Sequence, residues 1–344
     1  MILFLYHICN IILYFYKFLI LLIIFIIFLS ISKFSHSNDD GCFSYDCLEE
    51  RIINVVLITD KNFFSQEVIK KQIHENFVKI NKFYYENFKI KWNILELRNF
   101  EQNKNLSNIS ELYSFHKKDI KQLIKLSNAE VGLVIVGNDI SGLGIAGTFS
   151  NLAMVSNIDK LSIEDSSIII AHEFGHLFGA WHTQKINDFM LYRGANSFDV
   201  SKESKAILKL MRSYNFNPES IFKKDKILKR ISRIYERHHA RHEINPVARL
   251  LTDKGIEYFE ERNYSKAVKI LNRSLSYYGR WGKTRNILSK TYFELGQFHD
   301  SFLEYTRAVF FGEKPDLIFE NKLRNKFIEL QKTNPDIINP FFNK

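Results

Sequence analysis

Cysteine is scarce in this sequence, with only three among its 344 residues. Cys9 lies in an apolar N-terminal run, whereas Cys42 and Cys47 flank a short loop just before the first predicted strand. These last two can pair as a disulfide outside the cytosol and would stay free thiols inside it. The cysteines alone therefore leave the cellular compartment open.

A nucleic-acid-binding module is also absent, although the chain is basic. Its net charge is +10, and its pI is about 9.2. The composition is rich in isoleucine, lysine, asparagine and phenylalanine, so solvated lysines account for the excess charge. We therefore expect no nucleic acid among the partners, while attraction to acidic surfaces such as anionic lipid stays open.

Charge is nearly missing from residues 1–32, which are apolar apart from a few polar breaks. The run at 18–32 suits the hydrophobic region of a signal peptide, whereas residues 11–32 are long enough to span a bilayer as a retained anchor. We assign residues 1–37 to a signal peptide or signal-anchor helix and residues 38–50 to a polar tether. Either alternative predicts that the rest of the chain is exported.

Beyond the tether, the apolar periodicity predicts a domain of mixed strands and helices over residues 51–214. A hydrophobic content of 46% is ample for packed cores. Strands are predicted at 52–59, 88–97, 131–136 and 152–156, and helices at 65–85, 113–127 and 201–214. One more helix is predicted to open at Ser166 and Ser167, and a glycine-rich loop with Gly142, Gly144 and Gly147 precedes the last strand.

One stretch of this domain carries a metal-site pattern, His172-Glu173-x-x-His176-x-x-Gly179-x-x-His182. On a helix, the first two histidines lie one turn apart on one face, so both imidazoles can reach one ion. Gly179 can take a left-handed conformation at little cost, which ends the helix and turns the chain. His182 can then return as a third ligand. Three histidines with an open position are typical of a catalytic zinc, since structural zinc sites use four protein ligands.

This eleven-residue pattern resembles the metzincin metalloproteases, and the resemblance covers about residues 51–213. That family has a methionine turn beneath the metal, and Met190 in the segment DFMLY is well placed to supply it. The gap of seven residues between His182 and Met190, with Thr183 after the third histidine, is similar to the matrixin branch. Tyr192 is instead similar to the astacin and serralysin tyrosine that can approach the zinc. The branch therefore stays open.

The resemblance implies an α+β zincin-like catalytic domain, with a mixed twisted sheet and long helices, that contains Zn²⁺. The implied metal ligands are His172, His176 and His182, and the implied structural residues of the site are Gly179 and Met190. In such folds an edge strand pairs with an extended substrate, and we expect residues 152–156 to be that strand.

The resemblance also implies a mechanism of peptide hydrolysis. Zinc lowers the pKa of its water to about 7, and Glu173 would accept the proton as general base. Tyr192 would help to stabilise the oxyanion, although a packed core tyrosine fits this position equally. Asp188 has two alternatives, a contact with a histidine or a turn-forming role.

The C-terminal part of the chain is predicted to be helical. Residues 215–246 are dense in charge and predict a basic helix or linker. Residues 247–334 contain a 34-residue repeat that resembles tetratricopeptide repeats, which implies an all-α domain able to bind a protein partner or substrate. Small and aromatic residues recur at this spacing. In the first unit they are Gly255, Tyr258, Tyr264, Ala267, Leu271 and Ser274, and the residues 34 positions later are, in the same order, Ser289, Tyr292, Phe298, Ser301, Tyr305 and Ala308. Ordinary helical hairpins are the alternative.

These patterns together predict a zinc-dependent endopeptidase that acts on protein or peptide substrates. It would be secreted, or anchored in a membrane with an extracytoplasmic catalytic domain, and the helical repeats would dock partners or substrates. The alternative is a membrane-anchored repeat scaffold with an inactive zinc domain; Glu173 argues against it, because metal binding alone does not require that carboxylate. A zinc amidase accounts for HExxH but not for Gly179, His182 and Met190 together.

Overall fold

The computed structural model describes residues 49–60, 67–102, 105–137, 140–192, 196–238 and 244–341. The N-terminal signal or anchor segment and nearly all of the predicted tether lie outside these residues. Within them, no helix is both long enough and apolar enough to cross a membrane.

The described residues form five strands and eleven α-helices. The strands are β1 (Arg51–Asp60), β2 (Ile90–Phe100), β3 (Val131–Val136), β4 (Gly144–Ala146) and β5 (Leu152–Ser156). The helices are α1 (Glu67–Phe88), α2 (Ile109–Leu126), α3 (Ile163–Leu177), α4 (Lys202–Met211), α5 (Pro218–Phe222), α6 (Asp225–His238), α7 (Pro246–Glu260), α8 (Tyr264–Tyr277), α9 (Gly282–Glu294), α10 (Phe298–Phe310) and α11 (Leu317–Thr333).

The strands form one mixed sheet, as predicted, and their order in it is β2-β1-β3-β5-β4. Strands β2, β1, β3 and β5 run parallel to one another, and β4 is antiparallel to β5. Alternate residues of β1 face opposite sides: Val55 and Leu57 join one core, and Val56 and Ile58 join the other. Helices α1 and α3 contribute to the first core and α2 to the second, so helices cover both faces of the sheet.

The prediction that residues 152–156 form the edge strand is wrong. They are β5, which lies between β3 and β4, and all five of its residues are buried. A short run of apolar residues suits an interior strand covered on both faces. The edge is formed instead by β4, which comes from the glycine-rich loop and whose three residues are half-buried.

Helix α3 begins earlier than predicted. Ser162 caps it, because its side chain accepts a hydrogen bond from the backbone of the first turn at 3.0 Å. Ser166 and Ser167 lie inside the helix, where each donates to the side-chain oxygen of Asn76 at 3.0 Å. These two serines therefore tie α3 to α1.

The charge-dense segment 215–246 contains helices α5 and α6, and α6 packs on the main core. Leu228, Ile231 and Tyr235 are buried in the same apolar cluster as the sheet residues beneath α1 and α3. The first turns of α7 join that cluster through Val247. The C-terminal helices are therefore continuous with the packing of the sheet domain.

Helices α7 to α10 pack as two successive pairs, with α11 against α10. In the first pair, the backbone of Gly255 lies so close to α8 that an added Cβ would contact Leu271. In the second pair, Ser289 and Ser301 each donate to the other's backbone carbonyl, at 2.6 and 2.9 Å. Small residues therefore recur at both helix crossings, which is the physical basis of the sequence repeat.

Candidate active site

Helix α3 presents two of the predicted ligands on one face. His172 and His176 are one turn apart, and their ring centroids are separated by 4.8 Å. Glu173 follows the first histidine and is 5% exposed. The helix can hold these polar side chains in the interior because neighbours such as Ile170 and Phe174 pack in the core.

Gly179 reverses the chain after this helix. Its φ is +85°, a left-handed conformation that glycine adopts without a Cβ penalty. A Cβ here would also overlap the ring of Phe149, so the position has no room for a side chain. The chain then returns His182 to the helix, with its ring centroid 4.8 Å from that of His176 and 5.2 Å from that of His172.

The three imidazoles can hold one metal ion, because ligand atoms of His172, His176 and His182 all lie within 4.8 Å of one another. The Nδ1 atom of His172 is 2.7 Å from the carbonyl oxygen of Phe189, and that of His176 is 2.8 Å from the carbonyl oxygen of Ala180. A carbonyl oxygen only accepts, so each Nδ1 carries the proton. The Nε2 lone pairs are thereby left for a metal.

Burial keeps two of these imidazoles neutral. Burial, together with the smaller effect of the nearby His182, lowers the pKa of His172 to about 3. Burial likewise lowers the pKa of His176 well below its usual value, with contributions from the other two histidines. A metal binds the neutral imidazole, so protons do not compete for these two ligands near neutral pH.

Met190 lies directly against the histidine helix. A Cβ at Gly175 would be 2.5 Å from the Met190 sulfur, so this close packing requires glycine in the helix. The methionine segment also bonds to the chain after the third histidine: the Thr183 amide donates to the Met190 carbonyl at 2.9 Å, and the Tyr192 amide donates to the Thr183 carbonyl at 3.2 Å. The turn therefore supports both the helix and the returning segment.

Asp188 shapes this turn, and none of the hydrogen bonds that its carboxylate makes with described residues goes to a histidine. Its Oδ1 accepts from the Met190 amide at 2.8 Å. Its Oδ2 accepts from the Ser204 hydroxyl at 2.8 Å and the Ser201 amide at 3.2 Å. Of the two roles that the sequence left open, the turn-forming one is observed, and it attaches the methionine turn to the N-terminus of α4.

Glu173 is buried beside the histidines with one oxygen unsatisfied. Among the described residues its Oε2 has no hydrogen-bond partner, and burial raises its pKa to about 8. Strand β4 runs close to this side chain, since a Cβ at Gly144 would be 2.8 Å from both Cγ and Cδ of Glu173. A glycine at this point of the edge strand leaves room for the carboxylate. An orphaned carboxyl oxygen beside three imidazoles fits a site that takes a zinc ion and a water, and the positive charge of a bound ion would favour the ionised carboxylate.

Tyr192 lies beside the third predicted ligand. Its side chain is half-buried, and its ring centroid is 5.0 Å from that of His182. The structure thus brings all five predicted catalytic and ligand side chains into one region of the molecule.

The site opens into a cleft of about 810 Å³. One wall is formed by β4, its following loop and helix α2, and helix α7 forms another part of the lining. The lining also includes Tyr113, Ser150, Trp181, Arg249 and Asp253. The sequence did not reveal the contribution of α7, because residues 247–334 were assigned to a separate repeat domain.

Two tyrosines that the sequence did not single out donate hydrogen bonds to backbone carbonyls near the site. The Tyr235 hydroxyl on α6 donates to the Gly179 carbonyl at 2.6 Å. The Tyr214 hydroxyl donates to the Phe149 carbonyl at 2.6 Å, and burial raises the pKa of Tyr214. Tyr235 follows Leu228 and Ile231 at helical spacing, a signal of a buried helix face that the high charge of this segment concealed.

Comparison with known proteins agrees with this geometry over part of the chain. The sequence model of the reprolysin-like metallo-peptidase family M12B matches residues 70–183, which is less than half of the chain and ends before Met190. No curated protein matches the chain.

Several solved structures are similar at low identity. One described as the structure of a chaperone–substrate complex is 13% identical with a TM-score of 0.38, and the match covers 49% of this chain but only 35% of that one. Archaemetzincin from Methanopyrus kandleri is 14% identical with a TM-score of 0.36, over 47% of this chain and 96% of that one. Metalloproteinase-II from Bacteroides fragilis is 19% identical with a TM-score of 0.34, over 47% and 53% of the two chains.

TM-scores of this size do not establish a shared fold. The family match and the three-histidine cluster are independent of them, and the matched range contains His172, Glu173, His176 and His182. Residues 70–183 therefore carry a reprolysin-like metallopeptidase domain.

Proposed function

We propose that the protein is a metzincin-type zinc endopeptidase. The observation that carries this proposal is the convergence of three imidazoles on one region, with an unsatisfied oxygen of Glu173 beside them. Three histidine ligands leave an open coordination position, which is the property of a catalytic zinc site. When bound, zinc polarises a peptide carbonyl and acidifies a water.

The residues of the chain divide the remaining work. Glu173 accepts the proton of the attacking water at its Oε2 and passes it to the leaving amine. His172 and His176 are oriented by the carbonyl groups of Phe189 and Ala180, so the ligands need no rearrangement when the ion binds. Tyr192, beside His182, stabilises the negative charge that develops on the carbonyl oxygen.

The substrate is an extended peptide that pairs with β4. This strand bonds to β5 along one side, and it lies at the end of the strand order of the described sheet. Addition of a substrate strand there supplies main-chain hydrogen bonds and leaves sequence preference to the pockets of the cleft. The closeness of Gly144 to Glu173 supports this role, since a peptide paired with β4 would lie next to the general base.

The remaining parts of the chain have proposed roles in location and docking. Helices α7 to α11 are tetratricopeptide-like repeats that bind a partner or substrate protein. The N-terminal segment directs export, so that the catalytic domain is extracytoplasmic and either membrane-anchored or secreted.

Chelator-sensitive proteolysis tests this function. The full-length protein, loaded with zinc, should cleave a denatured protein such as reduced casein, and cleavage should stop on chelation and return with zinc. Glu173→Gln should keep its zinc and lose roughly 10²–10⁴-fold in rate. No cleavage by zinc-loaded protein would favour the scaffold alternative, and full activity of Glu173→Gln would exclude the assigned general base.

A further inference from the structure

Helix α6 carries a band of positive charge on the side turned away from the core. An α-helix advances by about 100° at each residue, so Lys226, Lys229, Arg230 and Arg233 fall within an arc of about 100°. All four residues are exposed, whereas the apolar residues on the other side of the helix are buried in the main core. We call these four residues the cationic stripe.

Little negative charge balances the stripe. Residues 223–236 contain six cations, of which Lys223 and Lys224 lie just before the helix, against two carboxylates. Asp225 forms an ion pair with Arg273 of α8. The other carboxylate, on the residue at 236, accepts a hydrogen bond from the Ser232 hydroxyl at 3.4 Å. Within the part of the chain that the structure describes, none of the six cations has a salt bridge or a side-chain hydrogen bond.

Acids on three neighbouring helices are held by other cations. Glu203 of α4 pairs with Lys185. Glu219 of α5 and Glu257 of α7 both pair with Lys254, at 2.5 and 3.1 Å. These carboxylates therefore do not neutralise the stripe.

The arrangement of charges within the stripe is unfavourable for the helix by itself. Arg230 follows Lys226 by four residues, and Arg233 follows Lys229 by four residues. Side chains at this spacing are neighbours on a helix, and like charges there repel each other. The cations at the beginning of α6 are also opposed by the positive end of the helix dipole. An anionic partner would relieve both effects.

The basic composition of the chain does not by itself produce such a stripe. On α11, cations and acids alternate and form ion pairs, Arg324 with Glu320 at 3.3 Å and Lys326 with Glu329 at 2.8 Å. The lysines and arginines of α6 are instead grouped on one side. We infer that the grouping serves contact with an anion.

The stripe and the metal site lie on opposite sides of α6. Tyr235, on the buried side of this helix, donates its hydroxyl hydrogen to the Gly179 carbonyl at 2.6 Å. The cations lie on the other side of the same helix. A partner can therefore cover the stripe without touching the helix face that supports the turn after the histidine helix.

Two observations favour a lipid surface as the anionic partner. The polar residues 33–50, between the predicted span at 11–32 and β1, reach roughly 60 Å when fully extended, so an anchored chain keeps the catalytic domain near the lipid headgroups. Sites for single-stranded nucleic acid combine cations with aromatic platforms, and the tyrosine of α6 is buried. Each lysine or arginine beside an anionic bilayer raises the affinity about fivefold.

We propose that the cationic stripe, together with Lys223 and Lys224, binds the anionic headgroups of the membrane in which the N-terminal segment anchors the chain. The proposal rests on the membrane-anchored form of the proposed location and not on the peptidase activity. Binding through α6 holds the catalytic domain against the bilayer in one orientation.

Lysine acetylation of the full-length protein in lipid nanodiscs tests this contact. One set of discs contains phosphatidylcholine alone, and the other contains equal parts of phosphatidylcholine and phosphatidylglycerol. Mass spectrometry measures the acetylation rate of each lysine. In the anionic discs the lysines of α6 and of the turn before it should react about fivefold more slowly. In about 1 M salt, which screens charges beyond about 3 Å, this protection should disappear.

Exposed lysines of α2 provide an internal control. Lys118 and Lys125 are exposed, and α2 packs on the opposite face of the sheet from α6. Their acetylation rates should be equal in the two kinds of disc. Protection of these lysines as well would show that the bilayer does not select the stripe.

Neutralising the stripe should remove the protection of the two lysines that remain before the helix. The variant carries glutamine at all four stripe positions, Lys226→Gln, Lys229→Gln, Arg230→Gln and Arg233→Gln. Its melting temperature should not fall, because the repulsion between like charges is removed. The matched control loses the same charge from exposed positions on α2 and α11 and should keep the protection; its substitutions are Lys118→Gln, Lys125→Gln, Lys322→Gln and Lys332→Gln.

Equal acetylation in the two kinds of disc, or protection that survives the four stripe substitutions, would overturn the proposal. A DNA duplex or polyglutamate that protects the same lysines, in salt at which anionic discs do not, would assign the stripe to another polyanion and would also overturn it.

Failure of the proposed location has a different outcome. Elution of the chain with the discs in about 1 M salt reports the anchor alone. A chain that leaves the discs in high salt but shows protected lysines in low salt removes the anchor and keeps the stripe. The Glu173→Gln protein should show the same protection, so loss of peptidase activity does not affect this test.

Discussion

Adding one methyl group to the edge strand, in Gly144→Ala, should disable the general base without removing the metal. The Cβ of an alanine at this position would lie 2.8 Å from both Cγ and Cδ of Glu173, and closer still to one carboxylate oxygen. Ordinary van der Waals contacts between carbons are about 3.5–4.0 Å. The Glu173 side chain is buried, so either it or β4 must shift to relieve the overlap.

The size of the effect follows from this overlap. Small-to-large changes at packed sites cost typically about 1–3 kcal/mol, and part of that cost is avoided here because a carboxylate can rotate into the open cleft. Rotation removes the base from its position, and general-base catalysis contributes roughly 10²–10⁴-fold to rate. We therefore expect kcat to fall by about 10²-fold or more, with the melting temperature changed by only a few degrees.

The assay is chelator-sensitive cleavage of a quenched fluorescent peptide, with zinc per chain measured in parallel. Gly279→Ala is a matched control, because its Cβ would meet only one backbone oxygen, at 3.4 Å, and it lies outside the cleft lining. Zinc content should equal that of the unmutated protein. An active Gly144→Ala protein would show that Glu173 does not need its place beside β4, and loss of zinc would show that the strand supports the ligands instead.

Three further substitutions test other contacts of the site. His182→Ala should lower zinc content sharply after dialysis, since two imidazoles remain, and unchanged content would exclude it as a ligand. Tyr192→Phe should lower kcat/KM by roughly 10²–10³-fold at unchanged zinc content if its hydroxyl stabilises the oxyanion; equal kinetics would mark it as a packed tyrosine. Tyr235→Phe should lower the free energy of unfolding by about 1–3 kcal/mol in a urea titration, because the Gly179 carbonyl loses a buried partner; Tyr85→Phe is the control, and equal stability would contradict this role.

The strand positions and the histidine helix were predictable because their patterns are local. The strands β1 and β3 each contain a continuous run of apolar residues, and His172 and His176 lie one helical turn apart, so a single segment displays each pattern. Gly179 was equally readable, because its positive φ is a property of one residue. Asp188 left two roles open, since the choice depended on where Ser201 and Ser204 lie in space.

The error about the edge strand has a different cause. Residues 152–156 and β4 are both short strands. The order of strands in a sheet depends on which segments pair with each other, and the periodicity of one segment does not show its partners.

Charge also concealed the packing of α6, because the apolar residues that reach the core are separated by lysines and arginines. Tyr235 in that helix supports the turn at Gly179 through one hydrogen bond across 56 residues of sequence.

The sequence by itself determined the donor set, because the spacing of the three histidines, the glutamate and the glycine specifies which side chains a helix and a turn can bring together. Tertiary structure alone decided what surrounds that donor set. The glycine of an antiparallel edge strand lies against Glu173, Met190 packs under Gly175, and helix α7 lines the cleft with Arg249. Those neighbours come from distant parts of the chain, and only the packing of the helices on the sheet brings them into contact.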